Sequence, residues 1–577
     1  MLFQCPVLLT WALALLARNP VARGEGFLGG RGSKHPAVNA KTRSDELQAA
    51  MGAVLGCGGG TARGSNRSAV IARVIQPIWR SLPKTGDDRV EWRQLRYIAH
   101  RHFMQTSSVM IRGLEPVRQL NSSHHGAAEV LSQQVPGLVE MMLDGHTKMH
   151  GFSFEDALIM VETLEQLVFN SETSLLEFVY SENHLETHQT LDATGLHNVL
   201  EDYMIHWMMG EDQQSIKLLM DQPDLRDQSL PHWGQISGMV DGTIKGMEFA
   251  RLHGRAEGGA RIAMTGRYSF GDAHGIIASI GRSFASFWES ECQAIKSSLV
   301  KMDRRGTGRV RLADFYGANL DGEWRFGESE AYLRELGALD ESSKWLGKQL
   351  IIPNYLQGTS NCIVTRPNYL VCCVNECEAI LGEIEAAVGA PVAQPEDILR
   401  ILRNMTGYED EPVRLDRALQ KQLQGIAGTH GGKVPVHGRL FSQWLHYTFP
   451  RECPFPHKAG ESALQTPTQF GERSLATQAE MEQHKEEAES ARARQQGQGG
   501  GLEGTDDAQW MSQWSEDEEL LGDYSAHVRA PWRGRHAVAL GGAAALAAAL
   551  VWAGVKGSSH GGGLGPGGHF ETKSHFV

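Results

Sequence analysis

Positive charge is in short supply in this chain. Its 55 Lys and Arg stand against 68 Asp and Glu, a formal net charge of −13 at pH 7. That deficit argues against nucleic acid as a partner, because binding a phosphate backbone rests on clustered cations. Two common catalytic signatures are missing as well: neither G-x-x-x-x-G-K-[ST] nor H-E-x-x-H occurs. G-x-G-x-x-G does occur, as at Gly24, Gly26 and Gly29, but only in glycine-rich stretches with no strand before and no helix after. A G-x-S-x-G match at Gly557, Ser559 and Gly561 lies in a tail where no strand-to-helix elbow forms. These absences weaken an enzyme reading without excluding one.

Cysteine is sparse, eight in 577 residues, and carries no paired C-x-x-C spacing. Cys362, Cys372, Cys373 and Cys377 are concentrated in one segment, with Cys453 further on. In a secreted domain disulfides are the default for such a set, and the adjacent Cys372 and Cys373 would each take a separate partner. The rivals are a zinc site from Cys362, Cys377, Cys453 and His457, and a redox-active thiol. Histidine pairs at His146/His150 and His184/His188 have the i, i+4 spacing of a helical metal site, but 24 histidines make chance pairs expected. Sequons at Asn66, Asn121 and Asn404 are compatible with secretion and no more.

What the chain does have is apolar residues, 41% of the total, enough for sizeable cores in roughly two to four domains. Much of it reads as helix. Leu158, Val161, Leu164, Leu167 and Val168 share one helical face, and Leu196, Val199, Leu200, Tyr203, Met204 and Trp207 share another. Ile380, Leu381, Ile384 and Val388 form a third amphipathic face that stops before Pro391. Core packing accounts for these stripes.

The most informative stretch is MDRRGTGRVRLADF, Met302 to Phe315. With Asp303 at position 1 of a twelve-residue loop, Gly308 falls at position 6, Val310 at 8 and Asp314 at 12. An acidic first ligand, a glycine for the sharp turn and a closing carboxylate are what an EF-hand loop requires. Ile295, Leu299 and Met302 lead into it along one helical face. Here the chain resembles the EF-hand superfamily, which implies a helix-loop-helix and a calcium ion held by Asp303, Thr307, the Arg309 carbonyl and Asp314. The donor chemistry is thin. Position 3 is Arg305, and Arg304, Arg305, Arg309 and Arg311 set four positive charges against two carboxylates. A working calcium site and a loop that keeps the shape without the ion are both open.

The same pattern recurs loosely in VEWRQL at Val90, FSFEDA at Phe152 and YSFGDA at Tyr268, which places Gln94, Asp156 and Asp272 at position 12. Position 1 in those copies is Pro83, Gly145 or Arg261, none able to ligate through its side chain. The expectation is four EF-hand-like units in two pairs, with the strand segments of Tyr268 and Val310 joined. Together with LIIPNYLQGTSNC, YLVCCVNECEAIL and LFSQWLHYTFPRECPFPHK, these segments look like a group of large EF-hand-containing proteins of unicellular eukaryotes, over roughly residues 80 to 458. That group carries no assigned chemistry, so the resemblance implies a fold and no activity.

Both ends carry targeting signals. Pro6 to Ala17 is an apolar run of signal-peptide length lacking the usual preceding Lys or Arg, with cleavage expected between Ala17 and Gly24. Ala537 to Val555 is long enough and uncharged enough for a transmembrane helix, though its Ala and Gly make it weakly hydrophobic. Together they imply a single-pass membrane protein in the secretory pathway or at the cell surface. Arg529, Arg533 and Arg535 on the lumenal flank run against the positive-inside rule, so a tail-anchored form facing the cytosol is the alternative.

The expected fold is mainly α, with EF-hand-like helix-loop-helix units in a larger helical domain plus one C-terminal transmembrane helix. By residue this reads as a signal peptide over 1–22, a disordered leader over 23–64 and a helical domain with degenerate EF-hand-like units over 65–260. An EF-hand-like pair follows over 261–330, then a cysteine-containing helical region over 331–458. A disordered acidic linker over 459–530, the membrane helix over 537–555 and a short tail over 556–577 complete the chain. Within the linker, Met481 to Gln496 has helical propensity but no apolar stripe. The acidic DDAQWMSQWSEDEELLGDY beyond it is either a solvated spacer or a motif that docks a protein partner through Trp510 and Trp514. Calcium-linked binding or scaffolding at a membrane is the function these features imply. The alternatives are a structural interaction protein that binds no ion, and a thiol- or metal-dependent enzyme.

Overall fold

The structure is a computed structural model that describes residues 63–85, 87–114, 151–210, 213–230, 233–253, 266–322, 325–343, 347–366, 369–405, 415–462, 464–497 and 511–528. The signal-peptide run, the Ala537–Val555 segment and the His146/His150 pair lie outside the described residues. Among those residues no helix is long and apolar enough to cross a membrane.

The fold is mainly helical, and a repeated local device starts its helices. An extended residue is followed by one capping residue in the β region, and a helix begins immediately. Val90 and Glu91 precede α1 (Trp92–Ser107), Phe152 and Ser153 precede α2 (Phe154–Glu182), and Leu191 and Asp192 precede α3 (Ala193–Met209). Tyr268 and Ser269 precede α4 (Phe270–Met302). Ser153 and Ser269 each accept the N–H of the residue three positions on, while Asp156 and Asp272 accept the cap's own N–H, which makes two complete capping boxes. Gln94 does the same for Glu91. The acid-or-amide position of the sequence repeat is therefore a helix-capping position in these three copies.

The extended residues pair through reciprocal backbone hydrogen bonds. Val90 and Phe152 exchange bonds of 2.9 and 2.7 Å, and Leu191 and Tyr268 exchange two of 2.8 Å. Strand β1 (Arg309–Arg311), ahead of α5 (Leu312–Leu320), pairs antiparallel with β2 (Gln349–Ile351), placing Val310 opposite Leu350. Further on, Val392–Ala393 pairs with Val434–Pro435. The expected union of Tyr268 with Val310 is thus wrong, and the Val310–Leu350 pair instead joins residues on either side of position 330. The reason is length. The 33 residues of α4 hold Tyr268 and Val310 about 50 Å apart at opposite ends of one helix.

Among the described residues four apolar clusters fill the interior, the smallest made of Met104, Met110, Leu370 and Cys372. One gathers the faces of α1 to α4, including Val161, Leu164, Leu200 and Trp207. A second forms around Ile295, Leu299, Val310 and Phe315, and a third around Ile384, Phe441 and Trp444. The expected linker is not solvated throughout: residues 464–497 and 511–528 pack on the fold. The helix Gln478–Gly497 lies against α5, with Met481 buried and His484 paired at 3.1 Å to Glu330, the first residue of α6 (Glu330–Glu335). One buried methionine replaces the apolar stripe that the sequence lacks.

Three disulfides staple this assembly: Cys292–Cys373, Cys362–Cys372 and Cys377–Cys453. Consecutive residues of an extended segment face opposite sides, which is why Cys372 and Cys373 find different partners. The zinc tetrad and the redox thiol are corrected by this pairing, since Cys362, Cys377 and Cys453 are all bonded. His457, in turn, meets the Gly337 carbonyl at 2.6 Å. His184 and His188 also leave the metal reading, for α2 ends at Glu182 and both lie in the loop beyond it. Non-reducing peptide mapping is expected to recover these three cystine pairs. A peptide carrying Cys372 linked to Cys292 would contradict the arrangement.

Candidate functional site: a loop closed by arginine

The loop at 303–309 begins where α4 runs out of helical hydrogen bonds. Asp303 caps the C-terminus of α4, and its side chain is fully buried. Its Oδ1 accepts the Thr307 N–H at 3.1 Å and its Oδ2 accepts the Gly308 N–H at 2.9 Å. Gly306 and Gly308 adopt φ of 67° and 69°, the left-handed region where a glycine costs least. At Gly308 there is a second demand, because a Cβ would stand 1.8 Å from the Pro450 carbonyl oxygen.

Pro450 leads directly to Arg451, whose Nε lies 3.1 Å from Asp303 Oδ2. The guanidinium therefore lies directly against the first loop carboxylate. Pro450 and Arg451 are anchored on one side by the Cys377–Cys453 disulfide. Next to them, Glu452 approaches Lys296 of α4 at 3.7 Å.

The other predicted ligands are also engaged. Asp314 is gripped by Arg311 through Nε at 2.8 Å and Nη2 at 3.1 Å. The Thr307 carbonyl accepts Arg309 Nη1 at 3.1 Å. Arg309 itself reaches Asp340 at 2.6 Å and Gln513 at 2.8 Å, and its backbone lies on β1. The structure thus gathers Asp303, Thr307, Arg309 and Asp314 on one loop, but each carboxylate already faces an arginine. Calcium takes about six to eight oxygens and follows ligand charge. This donor set, with two carboxylates neutralised by Arg451 and Arg311, does not fit that ion as arranged. Among the described residues no group of three His, Cys, Asp or Glu side chains is placed to hold a metal.

A second polar cluster joins α1 to α7 (Glu376–Val388). Arg101, buried on α1, contacts Glu378 and bonds both oxygens of Glu385 at 2.9 and 3.1 Å. Beside it, His437 Nε2 meets the Ser81 hydroxyl at 2.9 Å and Glu385 at 3.4 Å, while Nδ1 faces Tyr97 at 3.2 Å. A hydroxyl, an imidazole and a carboxylate invite comparison with a catalytic triad. The roles do not match, because serine and acid share one ring nitrogen and Ser81 is fully buried. Burial, reinforced by the charge of Arg101, pushes His437 down to about 3, so the ring is neutral. The cluster fastens two helices together.

Arg451 was beyond the reach of sequence reasoning, since it stands 148 residues from Asp303. A partial hint was available: Arg304, Arg305, Arg309 and Arg311 set four positive charges beside two loop acids, a sign that those acids are balanced from within the chain. No protein-family model, curated protein or solved structure matches this chain.

Two outcomes follow from the site's packing. Gly308→Ala is expected to destabilise the protein by about 3 kcal/mol or more, from strain at positive φ and collision with Pro450. Gly317→Ala, in the middle of α5 with open space around it, should be neutral or mildly stabilising; thermal melts read both. Separately, Glu328, which accepts the Tyr355 hydroxyl at 3.0 Å, is pushed up to about 7, chiefly by burial. The folded protein then holds a proton that the unfolded chain releases near 4.5, so stability should fall as pH rises from about 4.5 to 7. In Glu328→Gln that part of the slope should vanish from denaturant midpoints taken across the same range.

Proposed function

We propose that this chain is a non-catalytic binding or scaffolding protein built from paired EF-hand-like units, in which an internal guanidinium takes the place of the calcium ion. The observation that carries the reading is the contact of Arg451 with the buried carboxylate of Asp303. The reciprocally bonded pairs at Val90–Phe152, Leu191–Tyr268 and Val310–Leu350 support the architecture. The loop would then serve as a rigid joint between α4 and the chain that follows.

Three disulfides suit an oxidising compartment, which favours the secretory route implied by the N-terminal apolar run over a cytosol-facing form. Attachment to a membrane through Ala537–Val555 belongs to the proposal on sequence grounds. So does the absence of nucleic acid from its partners.

Calorimetric calcium titration of the intact chain tests this reading, beside Asp303→Ala and Arg451→Gln. The expected result is no saturable heat for the wild type at or below roughly millimolar calcium, the range that spans functional loops. Saturable binding by the wild type that Asp303→Ala abolishes would restore the calcium-binding reading instead. Arg451→Gln leaves a buried carboxylate without its cation and is expected to lower stability by about 3–5 kcal/mol.

A further inference from the structure

Residues Met511–Val528 form a strap that lies on the surface made by helix α8 (Arg417–Thr429) and helix α9 (Arg439–Thr448). The strap's flanks also meet Arg309 through Gln513 at 2.8 Å, Ser342 through Ser512 at 2.6 Å and Arg93 through the Leu520 carbonyl at 3.2 Å. The way it is held resembles the recognition of a ligand more than the packing of a core segment. Gln443, fully buried, uses its side-chain amide to read the backbone of Ser515 on both sides. Its Nε2 donates to the Ser515 carbonyl at 2.9 Å, and its Oε1 accepts the Ser515 N–H at 3.0 Å. Arg439 continues along the strap. Its Nη1 donates to the Asp517 carbonyl at 3.0 Å and its backbone N–H donates to the Glu519 carbonyl at 3.0 Å. These contacts read an extended backbone whatever its side chains.

One side chain is read specifically. The N-cap of α9 is Gly438, which has no side chain to bond the first N–H groups of the helix. The strap supplies the missing acceptor: Glu518 Oε1 takes the Leu440 N–H at 3.1 Å, and Oε2 meets His430 Nε2 at 2.8 Å. A carboxylate there is favoured by the unpaired N–H groups and by the helix dipole. The glycines on this surface make room for it. A Cβ on Gly438 would stand 3.0 Å from Glu518, and one on Gly431 would stand 2.4 Å from the Val528 carbonyl. Lys458 pairs with the exposed Asp517, which completes a cationic rim opposite an acidic segment.

Apolar attachment comes from Met511 and Trp514 on the cluster around Phe441 and Trp444, with the Trp514 ring centroid 6.2 Å from that of Tyr447. Leu521, on the cluster of α1 to α4, and the buried Tyr524 add to it. The strap is reached through QGGGLEGTDDAQW, Gln498 to Trp510, a stretch with four glycines. Because the strap belongs to the same chain as the surface it lies on, its docking is intramolecular and needs little intrinsic affinity.

From this we infer that the α8–α9 surface is a peptide-binding site, that Met511–Val528 is its resident ligand in cis, and that its external ligand is an acidic segment of a partner protein. That segment carries an aromatic residue, then an extended run with a carboxylate placed to cap α9, and it binds by displacing the strap. The inference rests on the binding-protein reading above and supplies the surface that reading needs.

The test uses the intact chain with a protease site inserted between Gly499 and Gly504, cut after folding. A fluorescent peptide of Met511–Val528 is then added, beside the same peptide with Glu518→Gln and a peptide of shuffled order. The expected result is exchange of the labelled peptide into the cut protein. The Glu518→Gln peptide should bind about ten-fold more weakly, since it loses charge-assisted bonds. Uncut protein should take up peptide far less, because its own strap competes. A cut strap that stays bound through dilution and never exchanges would make it a permanent part of the fold and overturn the proposal. Equal binding of the shuffled peptide would reduce the site to general charge attraction, with the same effect. A concentration-dependent dimer of uncut chain that the peptide dissolves would assign the surface to a second copy rather than to a partner. The calcium titration is unaffected by any of these results, so the two readings fail separately.

Discussion

A buried carboxylate must find donors, and in this protein Asp303 finds three. Two are backbone N–H groups of its own loop and the third is Arg451, delivered from far along the chain. Leaving that charge unpartnered would cost several kcal/mol, a large share of what a folded domain has in hand. The rest of the arrangement can be read as keeping Arg451 there. Gly308 admits the Pro450 carbonyl, the Cys377–Cys453 bond anchors the segment that carries both residues, and Cys292–Cys373 fixes α4 to a neighbouring extended segment.

An ion-binding loop and an arginine-closed loop solve the same electrostatic problem on different terms. An ion leaves when its concentration falls, so such a loop reports on its surroundings. A guanidinium fixed by covalent chain and disulfide does not leave. The joint between α4 and α5 is therefore rigid on this account, and the proposed displaceable element lies elsewhere, at the strap on α8 and α9.

The local architecture was largely legible in the sequence. Apolar stripes such as Leu196 to Trp207 declared buried helices, and the acid-or-amide repeat declared their starting points. Pairing was not legible, because a short extended segment carries no mark of its partner. Leu191, which completes one pair, lacks the acid or amide four residues on, whereas Leu350, followed by Ile352 and Asn354, carries the whole pattern and still does not name Val310 as its partner. The length of α4, an unbroken 33 residues, is what separates Tyr268 from Val310.

The candidate site was half legible. The spacing from Asp303 to Asp314 placed the loop correctly, and the surplus of arginines warned that its acids were already balanced. Arg311 could be foreseen as a local partner of Asp314, three residues on. Arg451 could not, since contacts between distant segments follow from how whole helices pack. The strap was legible only as two alternatives, a solvated spacer or a docking motif, because acidic, glycine-flanked sequence looks solvated until a helix N-terminus and a buried glutamine are placed opposite it.

The central claim is that a guanidinium stands where an ion would, and the Gly308 amide reports on that most directly. Its N–H bonds the same Asp303 oxygen that Arg451 contacts. Following that amide resonance by NMR while calcium is raised to millimolar levels should show no saturable shift in the wild-type chain. A saturating displacement of the Gly308 signal, with release of Arg451, would contradict the account.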